Sequence, residues 1–303
     1  MANDLKAPKA TDQPDPTPKV PALNYRHHFH AGNFADVMKH ALWLQVLGRL
    51  TCEAAPLDVI DTHAGAGLYD LQDAMARRSK EAEAGIVRLM ADADAPSVFA
   101  PLKAAVAAEN RSGGLRFYPG SPVLTVAALR PGDRFLGCEL RADDQAALQE
   151  LLDARRGRNG PEVRIALADG YAQLGNGAGD RRRGKLHLID PPFERGDEYE
   201  QIVAGVDRAL AADPGAVFAI WTPLKDLETF DALLRRLEGL DPPSLLVAET
   251  RLRPLLDPMK MNGSAMVFIG APDIEAEALT VCTWVAAACG EKGAVARVRK
   301  LGR

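Results

Sequence analysis

The chain has 303 residues, 47% hydrophobic and 26% charged, with a formal net charge of −4. That length suits one large α/β domain carrying an insertion, and the negative total leaves any polyanion to a local basic patch. No apolar run approaches the roughly 18 residues that span a bilayer. Met1-Ala2-Asn3-Asp4-Leu5-Lys6 lacks the apolar core of a signal peptide, so the protein is expected in the cytoplasm, off the membrane. The cysteines Cys52, Cys138, Cys282 and Cys289 are far apart and read as reduced thiols, not as a disulfide framework or zinc site.

Residues 1–22 are rich in Pro, Lys and Asp, with Pro8, Pro14, Pro16, Pro18 and Pro21. Few large apolar side chains are present to offset the entropy of ordering, so a disordered leader is expected, followed by one domain over 23–303. The domain opens on Asn24-Tyr25-Arg26-His27-His28-Phe29-His30-Ala31-Gly32-Asn33. Asn33 has the form of an N-cap, and Asp36 suits the positive first turn of a helix. Val37, Met38, Ala41, Leu42, Val46 and Leu50 recur at helical spacing from Phe34, with Lys39 and His40 near the polar edge of that face. His27, His28, His30 and His40 fall in this segment. No acidic or cysteine partner keeps a metal-ligand spacing with them, so no metal is expected. The ring nitrogens, with Tyr25 and Lys39, are read as facing an anionic, aromatic ligand, and a structural role stays open for some of the histidines.

A strand from Leu57 runs into Asp61-Thr62-His63-Ala64-Gly65-Ala66-Gly67. Gly65 and Gly67 allow a ligand close to the backbone, and a preceding strand is the context nucleotide binding requires. The full dinucleotide fingerprint is missing, which disfavours NAD. Residues of about 68–118 are charged and Ala-rich without a strand pattern, and predict a small helical insertion. Ser121 lies in the turn before a helix over Val123–Leu129, placed to cap it. The strand Arg134–Glu139 ends in an acid, where a ribose diol is commonly bound. A helix over Asp143–Arg155 follows, then a strand Val163–Leu167 leading to Asp169-Gly170. Asp169 suits an adenine amine and an ordinary Asp-Gly turn equally. Arg181-Arg182-Arg183-Gly184-Lys185 is either a solvated loop or a holder of phosphate backbone.

Next comes Leu186-His187-Leu188-Ile189-Asp190-Pro191-Pro192-Phe193. An apolar strand must stop at Asp190, because proline has no N–H to continue a ladder. Asp190, the Pro191 carbonyl and the Phe193 ring then form a rigid acceptor site at a strand's carboxyl end, where open α/β sheets place ligands. Such a site suits an exocyclic amine on a flat ring, for example N6 of adenine. The ordinary alternative is a strand-ending turn in which Asp190 caps its own backbone. Helix Tyr199–Leu210, strand Ala216–Thr222, helix Leu224–Leu237, strands Ser244–Glu249 and Ala265–Ile269 and helix Glu275–Ala288 continue the alternation. That pattern predicts a mostly parallel sheet with helices on both faces. Basic residues Lys292, Arg297, Arg299, Lys300 and Arg303 close the chain.

Taken together, the block from Tyr25 to His40, the Asp61–Gly67 loop, Tyr118-Pro119-Gly120-Ser121-Pro122 and Ile189-Asp190-Pro191-Pro192 resemble the RlmJ family. This resemblance runs from Asn24 to the C-terminus, departing in the leader and in Phe193, where better-known members carry tyrosine. It implies a Rossmann-like fold and an S-adenosyl-L-methionine (SAM)-dependent methyltransferase acting on N6 of an adenine in 23S ribosomal RNA, naked or partly assembled. It further implies a cofactor site of His40, His63, Gly65, Gly67, Ser121, Glu139, Asp169, Gly170 and Asp190. Asp190, Lys39, Tyr25 and His27 would serve catalysis, and Tyr25, His27, Pro191 and Phe193 the target base. A monomer is expected. Two alternatives stay open: an adenine-N6 methyltransferase acting on DNA, and a non-catalytic nucleic-acid-binding protein of DNA uptake or utilisation.

Overall fold

The computed structural model describes residues 29–175, 182–255 and 260–302. Tyr25, His27, His28, Arg181 and the leader expected over 1–22 therefore lie outside the described residues.

Strand β1 (Leu57–Asp61) lies centrally in an eight-stranded sheet. The chain first builds outward from it through β4 (Arg134–Glu139) and β5 (Glu162–Leu167), both parallel. It then returns to the other side of β1 with β6 (Gly184–Ile189) and β7 (Val217–Leu224), again parallel. β8 (Leu245–Arg251), β9 (Gly263–Ile269) and β10 (Val295–Leu301) complete that half with antiparallel pairings, in the order β10-β8-β9-β7-β6-β1-β4-β5. The order reverses between β1 and β6, and such a switch point opens a crevice beyond the strands' carboxyl ends. Asp61 closes β1 and Asp190 follows β6 at that place.

Apolar runs form these strands because both faces are covered. Successive side chains alternate between two cores. Val217, Ala219, Leu246, Ala248, Met266 and Phe268 face one core, together with α1 (Phe34–Thr51) and α10 (Glu275–Cys289). Phe218, Ile220, Leu245, Val247, Val267 and Ile269 face the other, with α8 (Glu198–Ala212) and α9 (Leu227–Glu238). Asn33 caps α1 as its sequence predicts, its side chain accepting from the Asp36 N–H at 3.0 Å.

Two expectations are corrected. The insertion is not strand-free: its ends pair as β2 (Leu68–Asp70) and β3 (Phe117–Pro119), an antiparallel neck below α2 (Ala74–Ser79), α3 (Glu81–Ala84), α4 (Ile86–Ala91) and α5 (Ala100–Glu109). Strands of three residues are too short to show a period. Of the basic C-terminal residues, Arg297, Arg299 and Lys300 lie on the edge strand β10, where Arg299 pairs with buried Glu249 at 2.9 Å and Lys300 with Glu275 at 2.7 Å. Arg183 is not available to phosphate: with buried Lys185 it pairs to Asp58, each at 2.5 Å. That cluster lies at the amino end of β6, on the order of 20 Å of extended chain from the switch-point end.

No helix among the described residues is long and apolar enough to cross a membrane. Replacing Asp58 by Ala would leave two nearly buried cations unpaired. The expected loss is about 3 kcal/mol, read by urea denaturation, and a loss below about 1 kcal/mol would show that solvent already screens the cluster.

Candidate active site

At the switch point lies a cavity of about 500 Å³, within the usual range for small-molecule sites. Its lining includes the charged Lys39, on α1 and only 3% exposed. The ammonium donates to Asp190 Oδ2 at 2.5 Å and pairs with Asp36 Oδ1 at 2.7 Å. Burial pulls the ammonium down, but the Asp190 and Asp36 carboxylates outweigh it, so its pKa rises above the ordinary lysine value. Lys39 is therefore a buried, permanently charged strut and not a polar-edge residue. It occupies Asp190 Oδ2, while Oδ1 has no hydrogen bond among the described residues. Asp190 thus braces α1 and does not cap its own turn.

Beside it the Pro-Pro pair and Phe193 line the cavity with Trp221. The Phe193 ring packs on Tyr199 at 4.9 Å and edge-on to Trp221 at 5.7 Å. Trp221 is a site residue that the sequence reading misses. Its indole N–H donates to Ser264 at 2.7 Å and its face lies 5.9 Å from the Lys39 ammonium. The one signal for it is an aromatic ring three residues from the end of a strand.

The other half of the cavity is built from the loops after β1 and β4. His63, Gly65, Ser121, Glu139, Gly170 and His40 all line it. Glu139 accepts from the Gly65 N–H at 3.0 Å and from the Leu140 and Arg141 N–H groups at 2.8 Å each. Burial nevertheless holds the Glu139 pKa above its ordinary value. Gly65 adopts the left-handed region at φ +62, and a Cβ there would meet Tyr69 Oη at 2.3 Å. Burial drives His63 down to about 3, so the ring is neutral, and its Nδ1 lies 2.8 Å from Thr62 Oγ1. His40 Nδ1 meets Tyr118 Oη at 2.6 Å, which anchors the ring from the insertion neck.

Two expected cofactor residues are not cavity-lining. Gly67, at φ +81, packs against Leu148, and its carbonyl accepts from the Gly120 N–H at 2.8 Å. Asp169 takes the turn role instead, accepting from the Tyr171 N–H at 2.9 Å. Ser121 lines the cavity but does not cap its helix: α6 (Ser121–Ala128) has Gly120 as N-cap with no side-chain bond. The Ser121 hydroxyl donates to Asp61 Oδ2 at 2.7 Å.

Asp61 is a second omission. It is fully buried beneath the loop and accepts from Ser121 and the His63 N–H. Burial pushes it up to about 7, with the Ser121 hydrogen bond opposing the rise. The strand-tip acid was legible, but its burial was not.

A family model described as Ribosomal RNA large subunit methyltransferase D, RlmJ, matches residues 54–300. The chain belongs to the RlmJ family. It is 33% identical to Ribosomal RNA large subunit methyltransferase J of Escherichia coli over 264 residues, covering 87% of this chain and 92% of that one. The Haemophilus influenzae protein of the same name is 31% identical over 251 residues, covering 82% and 88%. A solved Legionella pneumophila protein superposes with a TM-score of 0.80 at 27% identity, over 89% of this chain and 98% of that one. The RlmJ fold is thus an α/β, Rossmann-like methyltransferase fold.

The Asp61 shift carries a pH dependence. Its folded pKa of about 7 lies above the ordinary 3.8, so the folded state binds this proton more tightly. The resulting stabilisation is complete below the unfolded value and is lost as pH rises through the folded one. Asp61→Asn should therefore unfold with a flatter pH dependence between about pH 4 and 7 than the parent. Parallel curves from thermal melts across that window would place the proton elsewhere.

Proposed function

We propose that this chain transfers a methyl group from SAM to N6 of an adenine in 23S ribosomal RNA, acting as a cytoplasmic monomer on naked or partly assembled RNA. One observation carries the reading: Asp190 is fixed by a buried lysine through one oxygen, and its other oxygen stands at a cavity edged by Pro191, Phe193 and Trp221. The family membership supplies the reaction class, and the names of the E. coli and H. influenzae relatives supply ribosomal RNA as substrate.

The residues fit SAM. A strand-tip carboxylate, Glu139, suits a ribose diol, and the left-handed backbone at Gly65, where a Cβ has no room, admits close approach. Gly170 and neutral His63 would line the same half, with Ser121 held by Asp61. SAM supplies a methyl group on a sulfonium, a leaving group strong enough that no metal is required.

The protein's part is orientation. An aromatic amine delocalises its lone pair into the ring and is a poor nucleophile. Asp190 Oδ1 and the Pro191 carbonyl would accept the two N6–H groups, favouring a pyramidal nitrogen with its lone pair aimed at the methyl carbon. Phe193 and Trp221 supply apolar walls for a base removed from its own stack. Tyr25 and His27 keep their expected roles against the target adenine. Because Arg183 is consumed at the far end of the sheet, the phosphate-holding role passes to the insertion. Arg77, Arg78 and Lys80 are exposed there, next to Glu81, which lines the cavity.

Asp190→Ala and Asp190→Asn should both lose methyl transfer with the fold intact, since neither offers the paired acceptor. Lys39→Ala should lower the single-turnover rate at saturating RNA, because it frees Asp190 and leaves two carboxylates uncompensated. Labelled SAM with total RNA and with DNA decides the substrate: label in DNA alone would favour the DNA enzyme, and label in neither the non-catalytic binder. Charge reversal at Arg77 and Arg78 should instead be rescued by added RNA. The slope of log K against log salt should fall by roughly 0.7 to 0.9 for each phosphate ion pair removed, and an unchanged slope would take the insertion out of the RNA interface.

A further inference from the structure

The cavity carries more negative than positive charge. Six carboxylates line it, those of Asp36, Glu81, Glu139, Asp144, Asp190 and Glu194, against three lysine and arginine side chains, Lys39, Arg141 and Lys225. A surplus of anions suits a sulfonium and repels a phosphodiester. The path of a bound nucleotide's backbone is therefore decided by whichever cation is not already matched. Lys39 is paired with Asp36 and Asp190, and Arg141 with Asp143 and Asp144. Lys225 differs: among the described residues no carboxylate pairs with it. Its neighbour Asp226 turns away, accepting the Thr229 N–H at 2.8 Å as the cap of α9.

Lys225 directly follows Leu224, the last residue of β7. Side chains alternate along a strand, so Ile220 and Leu224 enter the core with α8 and α9, while Trp221, Pro223 and Lys225 all line the cavity. That row runs from a half-buried ring, past a buried proline, to an exposed cation. Asn262, itself fully buried, pins the outer end. Its N–H donates to the Leu224 carbonyl at 2.9 Å and its side-chain amide to the Lys225 carbonyl at 3.0 Å. The main chain of Lys225 is thus fixed while its side chain stands in solvent. β6 and β7 are paired neighbours, about 4.8 Å apart, so the row stands one strand over from Asp190.

A flipped adenine with its amine at Asp190 and its ring against Phe193 and Trp221 carries its sugar and phosphate outward. We propose that Lys225 binds the phosphodiester of that nucleotide, so that the RNA strand crosses the mouth over the tip of β7 and not over Glu139 and Asp144 on the cofactor side. The proposal rests on the methyltransferase reading for the identity of the base. Phosphate contacts of this kind set register and orientation. Lys225 positions the target nucleotide itself, and the insertion arginines hold the strand elsewhere.

Lys225→Met keeps the reach of the side chain and removes its charge, and Lys225→Arg restores the charge. Binding of a short single-stranded oligoadenylate is read by fluorescence anisotropy across a salt series. The slope of log K against log salt should fall by about 0.7 in Lys225→Met and return to the parent value in Lys225→Arg. A drop of the same size should appear when Lys225→Met is added to the Arg77 and Arg78 reversals, since separate contacts add. With total RNA and labelled SAM, Lys225→Met should raise the half-saturating RNA concentration roughly fivefold and lower the saturated single-turnover rate by less. SAM affinity, read by calorimetry, should stay at the parent value. An unchanged salt slope in Lys225→Met, a slope that Lys225→Arg does not restore, or a loss of SAM affinity in its place would overturn the proposal. If the parent transfers no methyl group, the oligoadenylate series still decides: a reduced slope upholds the phosphate contact and fails only the methyltransferase reading, and an equal slope fails the contact.

Discussion

The site depends on one buried ion cluster, Asp36–Lys39–Asp190, which ties the first helix to the end of the central strand β6. A lysine inside a protein is tolerable only when anions compensate its lost hydration. Here each anion does a second task. Asp36 also accepts the Gly32 N–H at 2.9 Å, fastening the approach to α1, and Asp190 offers its remaining oxygen to the cavity. Removing Lys39 would leave two carboxylates uncompensated, whereas removing either aspartate leaves the lysine one partner, so the lysine is the member on which the other two depend.

The two halves of the cavity follow from this. β1 and β6 are neighbours in register, Asp61 opposite Leu188, so the loop after β1 and the turn after β6 face each other across the crevice. Glycines and a buried acid shape one side, and prolines and aromatic rings the other. The insertion stands at the rim, where Glu81 receives His30 Nδ1 at 3.0 Å and Asn33 Nδ2 at 2.9 Å. That contact joins the entry to α1 to the insertion and places both beside the same opening.

Much of this was legible in the amino-acid order because local physics and the fold agree. Apolar runs ending in acids gave the strand tips, Asn33 gave the helix start, and proline gave the end of β6. Missed features share a cause: they depend on what lies opposite. Lys39 looks like a polar-edge residue until Asp36 and Asp190 converge on it. Arg183 looks like a phosphate ligand until Asp58 is seen across the strand pair. Trp221 sits in an apolar run, marked only by its place near a strand's end, and Ser121 turns from its expected capping role because Asp61 lies beneath it.

The last strand also bears on how the protein behaves in a crowded solution. Among the described residues β10 pairs along one side only, with β8, so its other side is a row of unmatched backbone groups, the kind of border to which another chain's strand can add. Arg297 is exposed on that strand, while Arg299 and Lys300 on it are held by Glu249 and Glu275. Charged side chains carried by an edge strand discourage the strand of a second copy from adding to it.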